Sequence, residues 1–178
     1  MPELTEIRWH ARAGQGAKTA SQLLALALLR SGRNAQAFPE YGPERRGAPL
    51  RAYTRVSDQP IRRHDAIEHP DVVVVLEPSL VGESGVSEGL DSESVVLLNA
   101  DTAPAELAAR RVHCVPASRI AARQGSSFGN IVMVGAVAAA IGEPPLQEVQ
   151  EAAVELLGRK LPPASVREAV AEGYRCLS

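Results

Sequence analysis

Two short stretches of this chain combine residue types that could do chemistry. The first, Ala11-Arg12-Ala13-Gly14-Gln15-Gly16, lies between a strand-like segment and a helix-like one. A glycine loop in that setting turns backbone N–H groups and the positive end of the helix towards one place, where an anion could sit. A tight β-to-α turn without a ligand is the other reading, and glycines serve it equally well. Two nucleotide-binding fingerprints can be tested here. In the dinucleotide pattern G-x-G-x-x-G, Gly14 and Gly16 fit, but Thr19 stands at the third glycine and Glu40 would have to be the ribose acid. In the P-loop pattern, Ala17 separates Gly16 from Lys18, which swings the lysine about 100° round the helix and away from the phosphates.

The second stretch runs Phe38-Pro39-Glu40-Tyr41-Gly42-Pro43-Glu44-Arg45-Arg46-Gly47-Ala48-Pro49. Prolines and glycines bracket Glu44, Arg45 and Arg46, so this is a shaped loop that displays charge. Adjacent arginines diverge. One can pair with a carboxylate while the other offers its planar fork to a phosphate or a neighbouring subunit. The alternative is a solvated ion pair worth ~0–1 kcal/mol. His64, Asp65, Glu68 and His69 form H-x-x-x-E-H, a residue longer than the inverted zinc-protease motif, and read as solvated groups before a buried strand. His10 ends the first strand and could brace the glycine loop or face a ligand. Ser126 or Ser127 could cap a helix opening at Asn130, which leaves Asn130 for another task. No Ser, Cys or His arrangement forms a nucleophile and base pair.

Elements must hold these groups. Residues 3–9 read as a strand and 17–31 as a helix whose Ala17, Ala20, Leu23, Leu24, Ala27 and Leu28 share one face. Strands follow at 34–38 and 50–56. Val72-Val73-Val74-Val75-Leu76 and Val95-Val96-Leu97-Leu98 are short, unbroken and β-branched, as central strands covered on both faces should be, and 112–116 adds an edge. Residues 103–111 are helix-prone, and helices are expected at 130–141, 146–157 and 164–177. The expected fold is α/β: three α/β/α layers, a largely parallel sheet and a helical C-terminal third, in a single domain over residues 1–178.

Composition removes several classes of function. Cys114 and Cys176 form no C-x-x-C pair, so zinc and iron-sulfur sites are not expected in this chain. No apolar run approaches the ~20 residues of a membrane span, and no basic-then-apolar leader follows Met1, so the cytoplasm is the expected compartment. Residues 1–64 hold 11 Lys+Arg against 5 Asp+Glu, and the remainder 8 against 16, which makes the amino-terminal third a candidate surface for an anion or an acidic partner. With aromatics at 3%, stacking platforms for nucleic acid are scarce.

Taken in order, these pieces resemble the gamma subunit, or the corresponding fused domain, of the pyruvate and 2-oxoacid:ferredoxin oxidoreductases. The family's H-G-R-G-G-Q-G loop is similar to His10–Gly16, with Ala11 and Ala13 in place of glycines, and its F-P-x-Y-G-x-E-R-R-G-A-P to Phe38–Pro49. Asp58-Gln59-Pro60-Ile61-Arg62 and Gly129-Asn130 also look familial. The resemblance implies oxidative decarboxylation of a 2-oxoacid on thiamine diphosphate, with electrons leaving through iron-sulfur clusters to ferredoxin or another acceptor. Those cofactors are expected in partner subunits of alpha, beta and delta type, with coenzyme A possible at a shared interface. It further implies that Arg12, Gly14, Gln15, Gly16, Glu44, Arg45, Arg46 and Asn130 position a ligand or face a subunit, without acting as acid-base catalysts. A stand-alone nucleotide-binding oxidoreductase and a pure assembly scaffold are the rival classes.

Overall fold

A computed structural model describes residues 4–40, 47–83, 85–108 and 110–178. Six strands form one sheet: β1 (Leu4–Arg12), β2 (Asn34–Pro39), β3 (Pro49–Ser57), β4 (Val72–Val75), β5 (Val95–Leu98) and β6 (Arg111–Cys114), in the order β2-β3-β1-β4-β5-β6. β1 is the hinge of the topology. It runs antiparallel to β3 and parallel to β4, and β4, β5 and β6 continue in parallel. The antiparallel β2 and β3 make the sheet mixed, though mostly parallel.

Strand alternation sorts the core. Ile7, Trp9, Ala11, Val72, Val74 and Leu97 face the helices, whereas Val73, Val75, Val96 and Leu98 face the other way. The helical layer holds α1 (Ala17–Arg30), α2 (Ala117–Arg123), α3 (Gly129–Ile141), α4 (Leu146–Leu157) and α5 (Pro163–Arg175), the last four forming the C-terminal third. Residues 131–138 of α3 are all buried, so this helix is apolar all round because it runs beneath the others. The opposite layer is thin. Leu80 and Leu107, from the single-turn 3-10 helices Pro78–Leu80 and Ala105–Leu107, and Val86 from a loop cover the second core. The helix-prone stretch 103–111 shrinks to one such turn because Arg111 already belongs to β6.

Towards β2 and β3 that second face becomes polar. Arg8 and Arg55 are fully buried on it. Arg55 donates from Nε to Glu6 at 2.7 Å and lies over the Phe38 ring, 5.4 Å from its centroid.

Candidate functional site

The carboxyl ends of β1, β4 and β5 and the starts of α1, α2 and α3 build a site that several elements share. Gly14 and Gly16 adopt positive φ of 100° and 82°, which lets the chain leave β1 and enter α1 directly. Ala11 and Ala13 keep negative φ, so their methyl groups cost the turn nothing. The Gln15 side chain straps the loop down: its Oε1 accepts from Arg12 N at 2.8 Å and its Nε2 donates to Glu77 Oε2 at 2.7 Å. Burial raises the Glu77 carboxyl, but hydrogen bonds from Gln15 and Ser79 and the charge of Arg12 outweigh it, leaving Glu77 below the usual range.

Asn130 closes the opposite wall. Its Nδ2 donates to Gly16 O at 3.3 Å, and a Cβ on Gly16 would lie 2.5 Å from that nitrogen, so the approach requires glycine. Asn99, at the end of β5, completes the frame. Its Oδ1 accepts from Ser118 N at 2.9 Å at the start of α2, while its Nδ2 donates to Leu76 O and Ser118 Oγ. Between these groups lies a cleft of about 460 Å³, lined also by Thr19, Ser127, Phe128, Leu157 at the end of α4, and Lys160 and Leu161 just beyond it. The amino termini of α1, α2 and α3 all border it, none with an acidic residue in its first turn. Among the described residues the lining holds no histidine, cysteine or carboxylate; its amides, hydroxyls and Lys160 are groups that can bind and orient an anion.

Gly14, Gln15, Gly16 and Asn130 meet at this cleft. Arg12 points elsewhere: it donates to Ser79 Oγ at 3.0 Å, Glu83 at 3.1 Å and Gly47 O at 3.4 Å, bracing the base of the second loop. Glu44, Arg45 and Arg46 lie outside the described residues. Neither serine caps α3, whose N-cap is Phe128; Ser126 instead donates to Ala121 O. His10 faces the polar side of the sheet and accepts from Arg8 Nε at 3.0 Å. Part of the positive charge of the amino-terminal third is paired within the chain. Arg12, Arg30, Arg33, Arg51 and Arg55 pair with Glu83, Glu148, Glu155, Glu143, Glu88 and Asp65 from the acidic remainder, and with Asp58 and Glu6. Asn99, Ser118 and Lys160 went unnoticed in the sequence. Asn99 left a signal: a polar residue at the carboxyl end of a parallel strand is where open α/β sheets bind ligands.

The family model for pyruvate ferredoxin/flavodoxin oxidoreductase matches residues 6–176. The chain belongs to this family. It is similar to pyruvate synthase subunit PorC of Thermotoga maritima, 39% identical over 179 residues that cover 95% of this chain and 92% of that one. It is also 43% identical to the pyruvate/ketoisovalerate oxidoreductases common subunit gamma of Thermococcus kodakarensis, over 85% of this chain and 86% of that one. As a gamma subunit of the 2-oxoacid:ferredoxin oxidoreductases, it superposes on the crystal structure of the Thermotoga maritima PORC subunit with a TM-score of 0.81 and 35% identity, covering 97% and 96% of the two chains. A 2-oxoglutarate:ferredoxin oxidoreductase from Magnetococcus marinus, solved with 2-oxoglutarate, coenzyme A and succinyl-CoA, shares the fold at 18% identity and a TM-score of 0.84. There 99% of this chain corresponds to 31% of a longer one. No helix among the described residues is long and apolar enough to cross a membrane.

Proposed function

We propose that this gamma subunit works within an assembled 2-oxoacid oxidoreductase, where its cleft holds the phosphate end of coenzyme A. The carrying observation is the convergence of the acid-free starts of α1 and α3 on one cleft, with Lys160 at its rim. Both termini offer N–H donors and partial positive charge to a phosphate, whereas at the short α2 the Ser118 N–H is already taken by Asn99 Oδ1. A relative that holds coenzyme A shares the fold. Thiamine diphosphate and iron-sulfur clusters belong to alpha, beta and delta-type partners, which supply the carbanion chemistry and carry the electrons to ferredoxin or another acceptor. Among the described residues no group of three or more His, Cys, Asp or Glu could hold a metal. This chain's share is to bind and orient the thiol cosubstrate, and its Glu44, Arg45 and Arg46 face a partner or the coenzyme.

The topology argues against the stand-alone nucleotide-binding reading. A dinucleotide fold needs its second strand parallel and beside the first, with an acid at its end. Here β3 separates β2 from β1, and Glu40 accepts from Tyr53 Oη at 2.5 Å.

Charge placed in the cleft tests the proposal in the intact complex. Ser118→Asp and Lys160→Glu should each raise the Michaelis constant for coenzyme A about tenfold, roughly 1.4 kcal/mol, while decarboxylation of the 2-oxoacid without coenzyme A proceeds at the parent rate. If neither variant moves that constant, the cleft is not the coenzyme site and a scaffold role stands in its place.

A further inference from the structure

Gln15 lines the cleft, whereas Glu77, just beyond β4, is not part of its lining. We propose that Glu77 is a positioning residue: it fixes which end of the Gln15 carboxamide the cleft presents, so that an anion there meets an N–H donor and not a carbonyl oxygen. The inference rests on the coenzyme A reading above and gives a task to a residue that touches no part of that ligand.

Hydrogen-bond polarity carries it. An ionised carboxylate only accepts, a backbone N–H only donates, and a carboxamide does one at each end. Ser79 N donates to Glu77 Oε1 at 3.3 Å, Gln15 Nε2 donates to Glu77 Oε2 at 2.7 Å, and Arg12 N donates to Gln15 Oε1 at 2.8 Å. Each link therefore runs in one direction. Turning the Gln15 carboxamide over would set its oxygen against a carboxylate oxygen and its NH2 against the Arg12 N–H, two contacts between like partners. Against the burial that raises it, Glu77 is kept ionised by hydrogen bonds from Gln15 and Ser79 and by the charge of Arg12. One Nε2 hydrogen of Gln15 goes to Glu77, and the other has no acceptor among the described residues, which leaves it for a phosphate oxygen. A neutral amide in place of Glu77 could not serve both donors. If its oxygen accepts from Ser79 N, its NH2 faces Gln15 and draws the Gln15 carbonyl round, away from Arg12 N.

Exchanging the two side chains separates polarity from structure. In the double variant Gln15→Glu/Glu77→Gln the new amide donates to the new carboxylate, whose other oxygen still accepts from Arg12 N, and the new carbonyl still accepts from Ser79 N. Every hydrogen bond of the strap is made, but the cleft now meets an acceptor. Coenzyme A is titrated calorimetrically into the intact complex without 2-oxoacid, beside steady-state turnover and a thermal scan. Glu77→Gln alone should weaken coenzyme A about two- to tenfold, the range of one lost hydrogen bond, with turnover at saturating coenzyme A at the parent level. The exchange should return the melting temperature to that of the parent yet weaken coenzyme A by about tenfold or more. A purely structural Glu77 would instead recover both together, so parent-level binding in the exchange variant overturns the inference, as does parent-level binding in Glu77→Gln. Should the exchange variant not assemble, a cycle with Gln15→Leu decides: Glu77→Gln should cost no further affinity once the carboxamide is gone, and an equal cost in both backgrounds overturns the inference. If Lys160→Glu weakens coenzyme A while neither Glu77 variant does, only the positioning role fails. If none of them does, the cleft itself has been misread.

Discussion

Arg8 and His10 illustrate how much of a residue's behaviour is set by what surrounds it. The Arg8 guanidinium is buried and donates to the carbonyl oxygens of Ile67, Glu68, Val86 and Glu88, tying the segments before and after β4 to β1. Its Nε–H needs an acceptor, which His10 Nε2 provides only while the imidazole is neutral. Burial, together with the charges of Arg8 and Arg51, pushes His10 down to about 3. An unfolded histidine titrates near ~6.5, so as pH falls the unfolded chain takes up this proton first. The stability that His10 contributes is therefore fully present above ~6.5 and is lost progressively as pH falls towards about 3. His10→Gln keeps an acceptor for Arg8 and removes the titration. Between pH 7 and pH 5, wild type should lose about 2 kcal/mol more unfolding free energy than the variant, as read by denaturant unfolding at each pH. Parallel pH dependences would show that His10 charges freely in the fold.

At the scale of elements, the crossing of α3 and α5 governs the position of the cleft wall, because α3 begins at Gly129 and Asn130. The two helices meet backbone to backbone. A Cβ on Gly135 would overlap the Val170 carbonyl oxygen, and one on Gly173 would overlap that of Val132. Helix propensity and packing then give opposite signs for Gly173→Ala. Propensity alone favours alanine by ~1 kcal/mol, whereas overpacking costs about 1–3 kcal/mol and more where the opposing atom is backbone. Packing should win. A melting temperature lower by about 2–12 °C is expected from a calorimetric scan, and a rise would mean that α5 moves aside without cost.

For the molecule as a whole, membership of a family of oxidoreductase subunits predicts a chain that folds alone and reacts only in company. The purified chain should give a cooperative thermal transition yet no 2-oxoacid-dependent acceptor reduction until its partners are added. In the assembled complex, Arg45→Lys or Arg46→Lys should weaken a desolvated contact by ~1.5–3 kcal/mol, seen as lost assembly if the partner is a subunit carboxylate or as a raised Michaelis constant if it is coenzyme A. Parent behaviour in both variants would leave that loop a solvated ion pair. Much of this architecture was legible in the residues themselves. The unbroken runs 72–76 and 95–98, the apolar face of α1 and the glycine loop report burial and backbone freedom, which periodicity and residue type encode locally. Gly14 and Gly16 could be singled out for the same reason, whereas Gln15 and Asn130 were pointed to by the family resemblance. What required the tertiary structure was every pairing between distant segments: β3 inserted antiparallel between β2 and β1, Asn99 capping α2, Lys160 brought to the rim, and basic residues of the first third neutralised by acids of the rest. Strand order, side-chain partners and the ligand-facing surface depend on contacts between residues far apart in the chain, and no local pattern carries that information.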